Sequence, residues 1–231
     1  MPPTRRSRPR PQHIAAAARS AAPPRRPSRP VTRRGRADCT PEFNGYIRSV
    51  NQPIVAVFGA SRTVQGDADY VDAERCGRLL AEAGYGIVTG GYGGSMEAAS
   101  KGAAGAGGRV VGVTAPSVFP QRPGANAFVG EEIVAPTVPE RIRIMLDMAT
   151  ASISLAGSIG TLTELMVAWN VAYIARFSST IPNPVIAVGA GWQSVVTEIA
   201  NRIPADAGVV SFVDDVDAAV DAVQSGLGPQ R

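Results

Sequence analysis

"PIVAVFGASRTVQGDADYVDAERCGRLLAEAGYGIVTGG", residues 53–91, contains one complete structural phrase. Ile54–Ala60 is a short apolar run ending in small residues, as a strand buried on both faces does. "DADYVDAERCGRLLAEAG" follows, with Val71, Cys76, Leu79, Leu80 and Ala83 at helical spacing and Gly84 positioned to end the helix. "GIVTGG" (86–91) returns to strand and runs out into glycines. Strand, helix and buried strand in that order predict a parallel pair joined by a crossover helix.

The phrase repeats in kind along the chain, though not at a fixed period. "SMEAASKGAAGAG" (95–107) reads as a small-residue helix, "RVVGVT" (109–114) as a strand, and residues 115–136 as a Pro/Gly-containing loop long enough to carry function. Residues 138–149 predict a helix, 152–156 a strand, 160–175 a helix and "PVIAV" (184–188) a strand. "WQSVVTEIANRI" (helix), "GVVSFV" (208–213, strand) and "DDVDAAVDAVQ" (helix) complete the series, with Asp214 and Asp215 suited to a helix N-terminus. The pattern predicts an α/β fold: a doubly wound, Rossmann-like parallel sheet with helices on both faces. Residues 51–225 form that single domain, preceded by a disordered extension and linker (1–50) and followed by a short tail (226–231). Ligands of such sheets bind beyond the carboxyl ends of the strands, and every glycine cluster lies at such an end.

Net charge of +4 conceals two regions. Residues 1–37 carry eleven arginines and no acid, whereas the rest has nineteen acids against twelve bases. The domain is acidic, so the high overall isoelectric point does not indicate nucleic-acid binding. The Arg/Pro/Ala/Ser-rich extension has no apolar face and predicts disorder. A transit peptide, a polyanion-binding arm and an inert extension are its three readings, and the prolines favour the last. "IAAAA" is too short and weakly apolar for a secretory signal, and no run approaches a membrane span, so a cytoplasmic protein is expected.

Residue scarcity excludes much chemistry. The single histidine, His13, lies in the extension, which removes Ser-His-Asp triads, Cys-His pairs and HExxH sites. Cys39 and Cys76 lack metal or disulfide spacing. Lys101, the only lysine, sits among alanines and glycines with no context for a pyridoxal Schiff base. No metal or cofactor is expected; catalysis would rest on carboxylates, arginines, hydroxyls and backbone.

"TGGYGGSMEA" carries Gly90, Gly91, Gly93 and Gly94 before a helix near Ser95, either as a tight turn or as a backbone approach for an anion. It matches neither GxGxxG nor GxxxxGK[ST]. "LAGSIGTLTEL" (155–165) adds hydroxyls: Gly157 and Gly160 free the loop, Ser158 and Thr161 offer donors, and Thr161 can cap the helix. Glu164 lies three residues beyond Thr161, which is capping-box spacing and equally the place for a carboxylate one turn from a phosphate. In "VPERIRIM", Arg141 and Arg143 diverge by roughly 200° on a helix, so one can face the crevice and the other solvent. Ile142, Met145 and Met148 form the buried stripe.

Together these residues resemble the LOG ("Lonely guy") family, often misannotated as lysine decarboxylases. "GGYGGSM" (90–96), "RIRIM" (141–145) and "AGSIGTLTE" (156–164) stand in order for its GGGxxGxM loop, RxxxM helix and PGGxGTxxE loop, and "VFGASR" (57–62) resembles its first strand and turn. The likeness spans residues 53–222. It implies a homodimeric enzyme that hydrolyses the N-glycosidic bond of nucleoside 5′-monophosphates, AMP or cytokinin nucleotides, to free base and ribose 5-phosphate. It implies Arg141 and Glu164 as catalytic residues, and Gly157, Ser158, Gly160 and Thr161 as the phosphate loop. Ser61, Gly90, Gly91 and Gly94 are then nucleotide contacts. Ala156 and Ser158 depart from the family's proline and glycine, and a positive φ at 158 would strain serine. A non-catalytic nucleotide-binding sensor of the same superfamily is the alternative. Neither reading involves a membrane or a specific nucleic acid.

Overall fold

Seven strands, all parallel, form one sheet in the order β4-β3-β2-β1-β5-β6-β7. The computed structural model describes residues 52–122 and 124–227; the expected disordered extension, with His13 and Cys39, lies outside them. In chain order the elements are β1 (Ile54–Phe58), α1 (Ala68–Glu82), β2 (Gly86–Thr89), α2 (Ser95–Gly105), β3 (Val110–Thr114), β4 (Glu131–Val134), α3 (Val138–Met148), β5 (Ala151–Ser154), α4 (Ile159–Ala175), β6 (Val185–Val188), α5 (Ala190–Arg202), β7 (Val210–Val213) and α6 (Val216–Leu227). This is the doubly wound architecture expected from the alternation.

The chain lays down β1 to β4 in one direction, then crosses back to place β5 on the other side of β1. Connections leave β1 and β5 toward opposite sides of the sheet, which opens a crevice between their carboxyl ends. Alternate strand residues face opposite layers. Val55, Val57, Ile87, Ile153 and Ile186 pack against α1, α2 and α6. On the other face Ala56, Phe58, Val88, Val111 and Val113 meet α3, while Val185, Ala187 and Val210 meet α4 and α5. Cys76 is fully buried in the first layer, where burial pushes its thiol up to about 12, so it packs as an inert apolar group.

Three local expectations are corrected. The stretch read as a continuous loop from 115 to 136 contains β4, whose Glu131 and Ile133 alternate with more exposed Glu132 and Val134. It pairs with β3 alone as an edge strand, and two glutamates at its start mask the apolar signature that central strands show. Val71 on α1 faces solvent; Tyr70, Ala73, Cys76, Gly77 and Leu80 form the buried stripe instead. Helix α4 begins at Ile159, before the predicted position, which shifts every cap assignment. Two predicted terminal signals hold: Gly84 adopts φ +89° after α1, and Asp215 Oδ1 accepts from Ala218 N–H at 2.9 Å at the start of α6. Among the described residues no helix is long and apolar enough to cross a membrane.

Candidate active site

The carboxyl ends of β1 and β5 are tied together, since Leu155 N–H donates to Phe58 O (2.9 Å) and Ala60 N–H to Ala156 O (3.1 Å). Trp192 of α5 holds the β5 exit by donating Nε1–H to Leu155 O at 2.9 Å. Next comes the start of α4, whose first intrahelical bond runs from Leu162 N–H to Ser158 O. The preceding N–H groups therefore have no helical partner. Ser158 occupies the cap position, yet its side chain makes no cap bond. Its φ of −115° is ordinary extended backbone, so serine is unstrained here. Thr161 does not cap the helix. It is the third residue of the first turn, 2% exposed, with Oγ1 buried and lacking a hydrogen-bond partner among the described residues. An unsatisfied buried hydroxyl costs about 1–3 kcal/mol. Gly157 is required beside it, because a Cβ there would overlap the Thr161 side chain.

Arg141 leaves the inner face of α3 and is 7% exposed. Nε–H donates to Val113 O at 2.7 Å and Nη2–H to Gly90 O at 2.8 Å, which anchors the guanidinium to the ends of β3 and β2. Its Cζ stands 5.5 Å from the centre of the Tyr92 ring. Gly90 makes room, since a Cβ there would overlap Nη2 and come within 2.6 Å of Met96 Sδ. Arg143, two residues on, faces outward and pairs with Glu140 and Asp147. The divergence of the two arginines follows the helical geometry expected from their spacing.

Glu164 projects from the first turns of α4 toward this guanidinium. Its Oε1 is 3.6 Å from Arg141 Nη1, too far for a hydrogen bond and close enough for strong attraction. With α4 beginning at 159, Glu164 lies beyond the first turn and cannot complete a capping box. Burial raises its pKa to about 7, with the Arg141 charge opposing. Burial also draws Arg141 below its usual value, Glu164 and Tyr92 opposing and Arg122 adding to the decrease. A guanidinium stays protonated regardless. The site therefore pairs a permanent cation with a carboxylate that changes charge near neutrality.

A cavity of about 190 Å³ joins these groups. Ser61, Gly90, Arg141, Ser158, Gly160, Thr161 and Glu164 all line it. Gly91, Gly94 and Gly157, also expected as ligand contacts, are not among the lining residues. Gly94 has φ +72°, and Ser95 N–H donates to Ala60 O at 2.8 Å, so the start of α2 is bonded to the loop after β1. The sequence reading did not single out Phe119 and Arg122, which come from the loop after β3 and complete the wall. Their only signal was the length of that loop. Among the described residues no cluster of His, Cys, Asp or Glu could hold a metal ion.

A family model described as the SLOG cluster4 family matches residues 52–203. A cytokinin riboside 5′-monophosphate phosphoribohydrolase from Mycobacterium tuberculosis is 35% identical over 128 residues, 55% of this chain and 67% of that protein. The Mycobacterium marinum protein of the same name is 36% identical over 106 residues; the match covers 46% of this chain and 56% of that protein. Among solved structures, the molybdenum cofactor carrier protein of Chlamydomonas reinhardtii superposes with a TM-score of 0.60 at 27% identity, over 76% of this chain and 98% of that one.

Proposed function

Because the chain belongs to the SLOG cluster4 family, within the LOG-type group that its loops resemble, we propose that it hydrolyses the N-glycosidic bond of a nucleoside 5′-monophosphate. One observation carries the reading. An uncapped helix start with an unpartnered Thr161 hydroxyl shares a single cavity with the open Arg141–Glu164 pair. The first suits a phosphate, the second a reacting anomeric carbon.

The 5′-phosphate binds the free N–H groups of α4 and the Thr161 hydroxyl, at the positive end of the helix dipole. That contact fixes the ribose, and binding energy from the nonreacting phosphate lowers the barrier at C1′. As the C1′–N bond breaks, its electron pair leaves with the base and positive charge grows on the sugar. Ionised Glu164 stabilises that charge and accepts a proton from the attacking water. Arg141 stabilises the negative charge on the departing nitrogen; the water oxygen bonds to C1′, and the proton that Glu164 took from it passes to the base, giving free base and ribose 5-phosphate. The assay is incubation with AMP and with isopentenyladenosine monophosphate, followed by chromatography for released base. Undiminished turnover in Glu164→Ala would refute the role given to that carboxylate.

The likeness to a molybdenum cofactor carrier supports a second reading, a protein that binds its ligand without cleaving it. Saturable nucleotide binding with no base release would select it. We further propose a homodimer formed through the outer face of α4 and its following turn, where Val171, Ile174, Phe177 and Ile181 are exposed.

A further inference from the structure

The crevice crosses the carboxyl ends of four neighbouring strands. Thr161 and Ser158 follow β5, Ser61 follows β1, and Arg141 is fastened to Gly90 after β2 and to Val113 of β3. Adjacent strands lie about 4.8 Å apart, so β5 and β3 are separated by roughly 14 Å. A nucleotide whose phosphate meets α4 therefore lays its base toward the β2–β3 end.

Arg122 waits at that end. Its Cζ is 5.1 Å from the Tyr92 ring centre and 5.2 Å from that of Phe119. The two rings meet edge to face at 5.7 Å, and the Tyr92 hydroxyl accepts from Ala115 N–H at 2.7 Å, which fixes the platform. Arg141 spends two of its five N–H donors on backbone carbonyls and turns Nη1 toward Glu164. Arg122, by contrast, is half-buried and makes no ion pair with any carboxylate among the described residues. Two guanidiniums thus line a cavity with one carboxylate, and among the described residues no side-chain hydrogen bond engages the Arg122 guanidinium.

We infer that Arg122 is a base-recognition residue, which with Phe119 forms the wall that receives the aromatic base. This rests on the nucleotide reading above. A guanidinium plane stacks on an aromatic base and donates to ring acceptors, such as N7 of a purine, while accepting nothing. Its charge also favours the electron-rich base that departs. Arg122 then contacts the base and not the phosphate.

The test is calorimetric titration of the full-length protein and of Arg122→Gln with two ligands, AMP and ribose 5-phosphate. Arg122→Gln is expected to weaken AMP binding about tenfold, the scale of one partly desolvated cation–π contact, and to leave ribose 5-phosphate unchanged. Its thermal melt should match that of the wild type. Equal losses for both ligands would make Arg122 a phosphate contact and overturn the inference, as would no loss for either. Wild-type protein that binds neither ligand would overturn the nucleotide reading and this inference with it. Wild-type binding of both ligands, with Arg122→Gln indistinguishable, would overturn this inference alone.

Discussion

Glu164→Gln, followed across pH, probes the buried carboxylate directly. Burial holds the folded carboxyl near pKa 7, against an ordinary 4.5 in the unfolded chain. Between those values the folded protein binds the proton that the unfolded chain has released, so stability falls as pH rises through that window. The difference corresponds to about 3 kcal/mol, fully present below pH 4.5 and lost by about pH 8. Glutamine has no such ionisation, and all other titrations cancel between variant and wild type. The gap in stability should therefore shift in favour of the variant by about 3 kcal/mol between pH 4.5 and pH 8. For a domain of this size that is roughly 6–12 °C in melting temperature. Melts followed by circular dichroism at half-unit pH steps and constant ionic strength would read it. Parallel curves for the two proteins would refute the reasoning, because a carboxylate with an ordinary pKa predicts no divergence above pH 5. The same ionisation should govern turnover: kcat/KM rises with pH to a plateau above about 8, half-maximal near 7, with about a tenth of sites active at pH 6.

Gly90→Ala places a methyl where Arg141 Nη2 lies, so the guanidinium must leave its anchors; kcat/KM should fall by roughly a hundredfold or more while the circular dichroism spectrum is retained. Thr161→Val removes a buried hydroxyl that has no partner. Urea denaturation should show stability unchanged or raised by about 1 kcal/mol, while calorimetry shows weaker ribose 5-phosphate binding. Phe177→Glu puts a charge on the exposed apolar face after α4, and sedimentation velocity should show a dimer becoming a monomer; a monomeric wild type would defeat the dimer proposal.

Central strands announced themselves because burial on both faces demands uninterrupted apolar runs, as in Ile54–Phe58 and Val110–Thr114. The edge strand β4 escaped because only one neighbour pairs with it, leaving Glu131 and Glu132 compatible with a loop. Arg141 and Glu164 were nameable individually, but spacing could not separate a capping glutamate from a site carboxylate. What decides is that α4 begins at Ile159, a fact of tertiary packing around the β5 exit. Arg122 was invisible because nothing in its neighbourhood is periodic. The rings of Tyr92, 30 positions earlier, and of Phe119 give its charge a place.

Fastening Arg141 to the tips of two strands has a consequence for affinity. A free arginine surrenders rotamer entropy each time a ligand arrives, whereas this one has already lost it when the sheet forms. The crevice thus meets each guest as a rigid mould. Its selectivity can drift through the outlying loop that bears Phe119 and Arg122 while the inner cation stays where the backbone put it.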